Sequence, residues 1–355
     1  MKKVAIIGIQ GVPANYGGFE TLVENIIGEH RSQEIEYTVY CSGKDMPTKV
    51  KEHKGAKLKY IPLRANGLQS VFYDIVAMMR SIRGYDALLI LGVSGCIFLP
   101  ILKLLSKAKI IVNIDGLEHR RDKWSLFARR FLLLSEVFAV KCAHIVITDN
   151  KGISDYVGWK YNIKTELITY GGDHVTKTAA PERQLEILDR YGLKSGEYVM
   201  SLCRIEPENN CHITLEALSK CNKQLVFVGN WNRNEYSRKL KEKYQGNSNI
   251  LLLDSIYDLE ILHVLRGNAR CYIHGHSAGG TNPSLVEAMF FGRPILAYDV
   301  VYNRETTHGK AHFYSTCEEL IALLEKDDLQ CDDLRKIADR HYTWKNIIQE
   351  YEQLY

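Results

Sequence analysis

Strand signals and helix signals alternate along almost the whole chain, and the alternation starts twice. Val4–Ile9 and Ala87–Leu91 are short, continuous apolar runs, typical of strands buried on both faces. Between such runs lie segments such as Phe19–Glu29, whose apolar residues recur at helical spacing. This alternation predicts parallel sheets covered by helices on both faces. A chain of 355 residues is long enough for two such domains.

A polar stretch at 175–181 interrupts the alternation and marks the expected domain boundary. We therefore predict an α/β protein with a doubly wound domain over residues 1–176, of about seven strands, and a second over 177–340. Two doubly wound halves predict a ligand cleft between them, at the carboxyl ends of the strands. The last segment, Thr343–Leu354, is an amphipathic helix.

The expected elements can be placed individually. The predicted strands are 4–9, 35–41, 58–61, 87–91, 110–114, 144–148, 165–168, 198–202, 224–228, 250–253, 271–273 and 295–297. The predicted helices with clear bounds are 19–29, 71–83, 98–105, 124–140, 182–191 and 343–354.

The composition excludes several classes of protein. A formal net charge of +4 gives no support for a nucleic-acid partner. The nine cysteines include no CxxC pair, which favours reduced thiols over a disulfide framework or a zinc site. No apolar run approaches the ~18 residues of a transmembrane helix. The short apolar run near the N-terminus ends in a Gly/Pro turn and predicts a first strand, not a signal peptide. A cytoplasmic protein is expected.

The stretch 274–292, HGHSAGGTNPSLVEAMFFG, carries the strongest chemical signal. It follows an apolar strand signal and leads through Gly279-Gly280 into a helix that either Asn282 or Ser284 can cap. A glycine-rich turn that enters a helix presents N–H groups to an anion, so we interpret it as a diphosphate cradle. Glu287 lies one turn further and can reach polar groups beside the phosphates. An ordinary strand–turn–helix connection is the alternative.

Two other segments support a phosphate-binding cleft. Arg204 follows a strand, where its guanidinium suits bidentate phosphate contact, although a surface pairing with Glu206 or Glu208 is the alternative. Gly17-Gly18 precedes the first helix and is either a second anion-facing helix end or a flexible connector.

A dinucleotide-binding site is not indicated. The first loop, GIQGVP, is not G-x-G-x-x-G, and the second strand signal ends in Tyr40-Cys41-Ser42 without an acidic residue for a ribose diol. These features argue against an NAD-dependent oxidoreductase.

The order of these motifs resembles the retaining nucleotide-sugar glycosyltransferases of the GT-B fold, the group related to sucrose and glycogen synthases. The family's Arg-x-x-Pro-Glu-Lys segment corresponds to Arg204–Asn209, and its pair of glutamates eight positions apart ends at Glu287. Its final aromatic helix, which crosses back to the first domain, resembles 341–355. The resemblance spans nearly the whole chain and implies two Rossmann-like domains that face a cleft.

Two positions depart from the family pattern. Asn209 stands in place of the phosphate-binding lysine, and Gly279 in place of the first glutamate. A subgroup usually described as rhamnosyltransferases shares both departures, together with the segments YGGFET, DGLE at 115–118, YGGDH at 170–174 and GGTNPSLVEAM. The resemblance to this subgroup implies dTDP-L-rhamnose as the donor.

The resemblance and the motifs together give a set of candidate site residues. Arg204, Asp115 and Glu287 are the candidate catalytic residues, with Asp115 either a base or a residue that positions the acceptor. The expected donor-binding residues are Gly17, Gly18, Arg204, Asn209, His276, Gly280, Thr281, Asn282, Ser284, Leu285 and Glu287.

Charge marks a second surface. Basic residues lie beside aromatic residues at and after 119–124 and can dock on anionic lipid headgroups, the alternative being a buried helix with a solvated basic rim. Phe127 and Phe131 are expected on one stripe with Trp124. The predicted acceptor-facing or membrane-facing residues are Arg120, Arg121, Lys123, Trp124, Arg129 and Arg130.

The expected activity is transfer of a sugar, with retention, from dTDP-L-rhamnose to a polyprenyl-diphosphate-linked saccharide in the synthesis of a bacterial surface polysaccharide. We expect no cofactor and no metal ion, because no Asp-x-Asp pair lies in a suitable loop. The protein would associate peripherally with the inner face of the cell membrane. The alternatives are a nucleotide-sugar epimerase of the same fold, a transferase that uses a UDP- or GDP-sugar, and a non-catalytic binding protein.

Overall fold

The computed structural model describes residues 1–14, 17–29, 32–114, 116–117, 119, 125–176, 179–330 and 333–355. It divides into two compact units: residues 1–170 with 344–355, and residues 171–343. The boundary between the units lies between residues 170 and 171. This is on the N-terminal side of the polar stretch 175–181, where the sequence predicts the boundary. Residues 171–175 group with the second unit, where the amide of Gly172 donates to the carbonyl of Tyr342 at 2.8 Å.

The first unit is built on an eight-stranded sheet in the order β3-β4-β2-β1-β5-β6-β7-β8. Every neighbouring pair is parallel except β3 and β4. The central strands are apolar and buried, as parallel strands covered on both faces must be. The strands are β1 Lys2–Ile7, β2 Ile35–Ser42, β3 Glu52–His53, β4 Ala56–Ile61, β5 Ala87–Leu91, β6 Lys109–Ile114, β7 Ile145–Thr148 and β8 Glu166–Leu167.

Helices cover both faces of this sheet. The chain leaves β1 toward one edge and passes from β5 to β8 toward the other, so right-handed crossovers place α1 on one face and α2 to α5 on the opposite face. The C-terminal helix α14 packs against α1 and completes its face. The helices are α1 Gly18–Glu29, α2 Gln69–Arg80, α3 Leu99–Leu105, α4 Leu126–Cys142, α5 Lys151–Tyr161 and α14 Trp344–Leu354.

The second unit is built on a six-stranded, fully parallel sheet in the order β11-β10-β9-β12-β13-β14. Its strands are β9 Tyr198–Leu202, β10 Gln224–Val228, β11 Ile250–Leu253, β12 Cys271–His274, β13 Ile295–Tyr298 and β14 His312–Tyr314. Its helices are α6 Pro181–Arg190, α7 Cys211–Lys220, α8 Glu235–Tyr244, α9 Leu259–Gly267, α10 Pro283–Met289, α11 Val301–Thr306, α12 Cys317–Leu324 and α13 Leu334–His341.

The prediction of an α/β chain with two Rossmann-like parallel sheets is confirmed. The central strands were easiest to place, because long apolar runs such as Ala87–Leu91 have one interpretation. The helix α5 is not predicted from the sequence, because its buried residues are Ile153 and Val157 and it lacks a clear apolar stripe. The short edge strands β3 and β14 are not predicted either. In the described part of the chain, no helix is long and apolar enough to span a bilayer.

One buried hydrogen bond joins the C-terminal helix to the first sheet. The amide nitrogen of Asn113, on β6, donates to the hydroxyl of Tyr351, on α14, at 2.6 Å. We predict that Tyr351→Phe lowers the free energy of unfolding of the first unit by about 1–3 kcal/mol, because it leaves a buried donor unsatisfied.

Urea denaturation followed by tryptophan fluorescence would measure this change. Tyr60→Phe is the matched control, since its hydroxyl accepts a hydrogen bond from the exposed amide of Val50. The control should change the free energy of unfolding by less than about 0.5 kcal/mol. Equal losses in the two variants would contradict the assigned role of Tyr351.

Candidate functional site

The loop between β12 and α10 has the strand–loop–helix order that the sequence predicts. Asn282 caps the helix, because its side-chain oxygen accepts hydrogen bonds from the amide and the hydroxyl of Ser284, at 3.1 and 2.8 Å. Pro283 has no N–H, and the amide of Leu285 donates to the carbonyl of Asn282. These first-turn groups are therefore engaged inside the loop. The side chains of Thr281 and Leu285 are buried.

Gly279, where the family pattern has its first glutamate, has a backbone φ of +117°. A side chain would find open space there, but this backbone conformation is rarely adopted by residues other than glycine. A glutamate at this position would therefore be strained. The backbone conformation of the loop therefore favours glycine at position 279 over the glutamate of the family pattern.

The loop after β9 is fastened to the loop after β12. Both the amide and the hydroxyl of Ser277 donate to the carbonyl of Glu208, and the side chain of Asn210 donates to the carbonyl of Gly275 at 2.9 Å. A Cβ on Gly275 would lie 2.3 Å from the carbonyl oxygen of Asn209, so only glycine permits this approach. Because β9 and β12 are neighbours in the sheet, the two predicted phosphate-binding segments do meet at one edge.

At this junction, the predicted donor-binding residues Arg204 and Asn209 differ in their exposure to solvent. Asn209 is buried, and its side chain donates to the carbonyl of Arg204 at 2.7 Å. Its amide therefore fixes the loop that carries Arg204. The side chain of Arg204 is exposed. Glu206, one of the two partners considered for Arg204, forms an ion pair with Arg233 at 3.7 Å.

Glu287 lies on α10, and a basic side chain lies near each oxygen of its carboxylate. One carboxylate oxygen, Oε2, accepts a hydrogen bond from the buried guanidinium of Arg266 on α9. The other, Oε1, lies 3.6 Å from Nε2 of His174. His174 belongs to the YGGDH segment, within a short 3₁₀ turn, Asp173–Val175. Glu287 remains partly accessible, with 14% of its side chain exposed.

Three aromatic rings are stacked along β12 and the residues that follow it. Tyr272, His274 and His276 alternate along the extended chain and so share one face. The rings of His274 and His276 are parallel within 10°, with centroids 4.3 Å apart. His274 is buried, and neither of its ring nitrogens has a hydrogen-bond partner in the part of the chain that the structure describes. Burial lowers the pKa of His274 to about 3.

Sequence reasoning missed Arg266, His174 and His274 as neighbours of this site. His274 and His174 lay in quoted motifs, and the alternating pattern of His274 and His276 on a strand could have indicated a shared face. Arg266 has no local signal, because it meets Glu287 only through the packing of α9 against the sheet.

The predicted Gly17-Gly18 segment of the first unit begins α1. The buried side chain of Glu20 lies in the first turn of this helix and accepts a hydrogen bond from the amide of Gln10 at 2.9 Å. A carboxylate at this helix end repels a second anion. Binding of the donor by Gly17 and Gly18 stays a prediction.

The predicted residues Asp115, Arg120, Arg121, Lys123 and Trp124 lie outside the described residues, as does Glu118. His119 is described, and its Nδ1 lies 2.9 Å from Glu136 Oε2 on α4. Burial alone would raise the pKa of Glu136, but hydrogen bonds, including those from His119 and Tyr161, outweigh burial and lower it to about 2.

Arg129 and Arg130 lie on the first turns of α4, beside the exposed side chains of Leu126 and Phe127. Phe131 is only partly exposed. Among the residues that the structure describes, no group of three or more His, Cys, Asp or Glu side chains is arranged to hold a metal ion.

The two parts of the chain match different family models. Residues 185–340 match the family model for Glycosyl transferases group 1. Residues 1–173 match a different model, described as Domain of unknown function (DUF1972). The candidate site residues Arg204, Asn282 and Glu287 lie within the glycosyl transferase match. A comparison with curated proteins gave no match.

Solved structures share the whole fold at low sequence identity. Sucrose-phosphate synthase from Thermosynechococcus elongatus has a TM-score of 0.83 and 16% identity, over 100% of this chain and 98% of that one. Anabaena HepE in complex with UDP-glucose has a TM-score of 0.79 and 15% identity, over 99% of each chain. The catalytic domain of starch synthase IV from Arabidopsis thaliana, bound to ADP and acarbose, has a TM-score of 0.72 and 13% identity, over 99% and 98%. The fold is GT-B.

The burial of His274 has a consequence for stability. The unfolded chain takes up a proton at this residue below its ordinary pKa of about 6.5, whereas the folded chain does not until about pH 3. The free energy of unfolding should therefore fall as the pH is lowered through this range. From pH 7 to pH 5 the contribution of His274 is about 2 kcal/mol.

We predict that His274→Phe, which keeps a planar ring in the stack, removes this part of the acid sensitivity. Urea denaturation at pH 7 and pH 5 would measure the difference. His212→Gln, at an exposed position, is the control and should retain the loss seen in the parent. A His274→Phe variant as acid-sensitive as the parent would disprove the assignment.

Proposed function

We propose that this protein is a glycosyltransferase that moves a sugar from a nucleoside diphosphate donor, dTDP-L-rhamnose, to a lipid-linked saccharide. The observation that carries the proposal is the coincidence of the glycosyl transferase match at 185–340 with the junction of the β9 and β12 loops. Around that junction lie an exposed arginine, Arg204, and an accessible carboxylate, Glu287. The guanidinium of Arg204 suits a diphosphate, and the carboxylate of Glu287 suits a sugar hydroxyl of the nucleoside.

In the proposed reaction, the bond between the anomeric carbon and the diphosphate oxygen breaks. An acceptor hydroxyl forms a new bond to that carbon on the same face, and its proton is released together with the nucleoside diphosphate. Arg204 would neutralise the charge that develops on the departing diphosphate. Asp115 would position the acceptor or take its proton. The reaction is proposed to need no metal ion, so activity should persist in EDTA.

The choice of donor rests on the rhamnosyltransferase-type segments, among them YGGDH at 170–174 and GGTNPSLVEAM at 279–289. HepE was solved with UDP-glucose and starch synthase IV with ADP, so proteins of this fold accept different nucleotides. A UDP- or GDP-sugar is accordingly the alternative donor. An epimerase of the same fold is the other alternative. It would need cleft carboxylates for acid–base chemistry, and Glu287 alone gives it little support.

A panel of radiolabelled nucleotide sugars, incubated with a polyprenyl-diphosphate-linked saccharide, would test the reaction. We predict that label from dTDP-L-rhamnose enters the lipid fraction and that NMR of the product shows the anomeric configuration of the donor. Arg204→Ala should lower turnover about 10²–10³-fold. Arg233→Ala removes a neighbouring arginine, which pairs with Glu206, and is the matched control.

Each alternative has its own outcome in this assay. Label that stays on the nucleotide but moves to a different sugar would favour an epimerase. Label that enters lipid from a UDP- or GDP-sugar alone would replace the donor. Inversion at the anomeric carbon would overturn the proposed stereochemistry and favour Asp115 as a general base. An Arg204→Ala variant as active as the parent would remove Arg204 from the site.

The acceptor is proposed to be presented at an anionic membrane surface, to which the first unit docks. Three aliphatic residues of α3, Ile101, Leu104 and Leu105, are exposed and lie on one face at helical spacing. The neighbouring helix α4 exposes Leu126 and Phe127, the latter by 82%. Solvent-exposed apolar residues on adjacent helices are typical of an interfacial surface.

Basic residues accompany these apolar side chains. Lys103 lies on the exposed face of α3, and Arg129 and Arg130 lie on α4. Cations beside exposed aliphatic residues match an anionic phospholipid surface, where the apolar groups enter the interface and the charges meet headgroups. This arrangement supports peripheral membrane association as part of the proposal.

We predict that the protein sediments with anionic liposomes at low salt and is released at high salt. The double variant Arg129→Gln/Arg130→Gln should partition about 30-fold more weakly, since each basic residue near the surface contributes about 1 kcal/mol. Arg238→Gln/Lys241→Gln on α8, an equal change of charge in the second unit, should bind like the parent. A parent that ignores anionic liposomes would exclude this surface as a membrane contact.

A further inference from the structure

Arg266 is the penultimate residue of α9, and only 2% of its side chain is exposed. Its Nη2 donates to Oε2 of Glu287. Its Nε and Nη1 are buried, and the described residues provide no hydrogen-bond partner for either atom. Among the described residues, the carboxylate of Glu287 is therefore the hydrogen-bond partner that anchors the guanidinium.

This arrangement does not favour the stability of the folded protein. A buried donor without a partner costs on the order of 1–3 kcal/mol, and Arg266 has two such nitrogens. Its helix neighbours Leu262, Val264 and Leu265 belong to the apolar core of the second unit. An apolar side chain at 266 would satisfy that core without the unpaired donors. The position of the guanidinium is better explained by what it does to Glu287.

The consequence for Glu287 is a fixed carboxylate with one accessible oxygen. Arg266 engages Oε2 from the buried side, so rotation of the carboxylate would break a charge-assisted hydrogen bond. Oε1 is 3.6 Å from Nε2 of His174, beyond hydrogen-bonding distance. With the side chain of Glu287 14% exposed, Oε1 is the oxygen left to accept a hydrogen bond from a ligand.

We propose that Arg266 is a positioning residue for donor binding, which fixes Glu287 so that Oε1 accepts a hydrogen bond from the 3′-hydroxyl of the nucleotide's deoxyribose. The inference rests on the proposed function, because it assumes that Glu287 binds the sugar of the nucleoside. Arg266 itself touches no substrate. Its effect should therefore be confined to the hydroxyl that Glu287 recognises and should leave the rest of the nucleotide unaffected.

The experiment compares dTDP with its 3′-deoxy analogue by isothermal titration calorimetry. The parent should bind dTDP about 10-fold or more tightly than the analogue, the range for one hydrogen bond to a charged group. Arg266→Met should lose most of this discrimination while its affinity for the analogue stays within about 2-fold of the parent's. Arg266→Lys, which keeps a cationic donor, should restore part of the discrimination.

Arg293→Met is the matched control, because Arg293 donates to the carbonyl of Gly267 at the end of the same helix and its hydrogen bond is not to Glu287. It should discriminate between the two nucleotides as the parent does. Thermal unfolding of each variant shows whether it is folded. If Arg266→Met does not fold, Arg266→Gln takes its place with the same expectation.

The outcomes separate this inference from the proposed function. A folded Arg266→Met variant that discriminates as strongly as the parent overturns the positioning role and leaves the nucleotide site intact. A parent that binds dTDP and its analogue equally also overturns the role, since Glu287 then recognises no 3′-hydroxyl. A parent that binds neither dTDP nor UDP overturns the nucleotide site and this role with it.

Discussion

The site of the second unit depends on the hydrogen bonds that join the loops after β9 and β12. Each loop donates to a carbonyl of the other: the amide and hydroxyl of Ser277 donate to Glu208, and the side chain of Asn210 donates to Gly275. Because the two strands are neighbours, these bonds close a short span and leave little freedom to either loop. The exposed arginine, Arg204, lies in the loop after β9. The buried side-chain amide of Asn209 donates a hydrogen bond to its carbonyl. Fixed geometry of this kind is what a charge-neutralising contact requires.

Two polar side chains near these loops, those of Arg266 and His274, are buried at a cost in folding free energy. Arg266 has two unpaired nitrogens, and His274 has two ring nitrogens without a partner in the described part of the chain. Ordinary cores do not retain such groups, since buried polar atoms are nearly always hydrogen-bonded. Both residues lie on elements that adjoin the candidate site, α9 and β12. The burial of these two polar side chains next to the candidate site is therefore unfavourable for stability.

The two faces of the first sheet are covered differently. The face covered by α1 and α14 is closed by apolar packing, with Trp344 and Tyr351 in the core. The opposite face carries α3 and α4, which bury one side against the sheet and leave Leu104 and Phe127 in solvent. A sheet with right-handed crossovers produces this asymmetry, because the direction of each strand connection decides which face its helix covers. The exposed side is thus available to a partner outside the chain.

The sequence by itself determined the class of fold and the place of the central elements. Continuous apolar runs such as Ala87–Leu91 and the Gly-rich entry to α10 are local signals, and local signals survive without knowledge of tertiary contacts. It also indicated Glu287 and Arg204 as candidate site residues, because the spacing of the motifs can be seen in the sequence alone.

Only the tertiary structure decided what surrounds those residues. Arg266 and Glu287 meet across two helices, and His174 reaches the same carboxylate from a distant segment, so no window of sequence contains the three together. The structure also showed that Asn282 and its helix engage the first-turn amides that the motif alone presents as free. Hydrogen bonds and ion pairs depend on distances of a few ångströms between segments far apart in the chain, and packing, not local propensity, sets those distances.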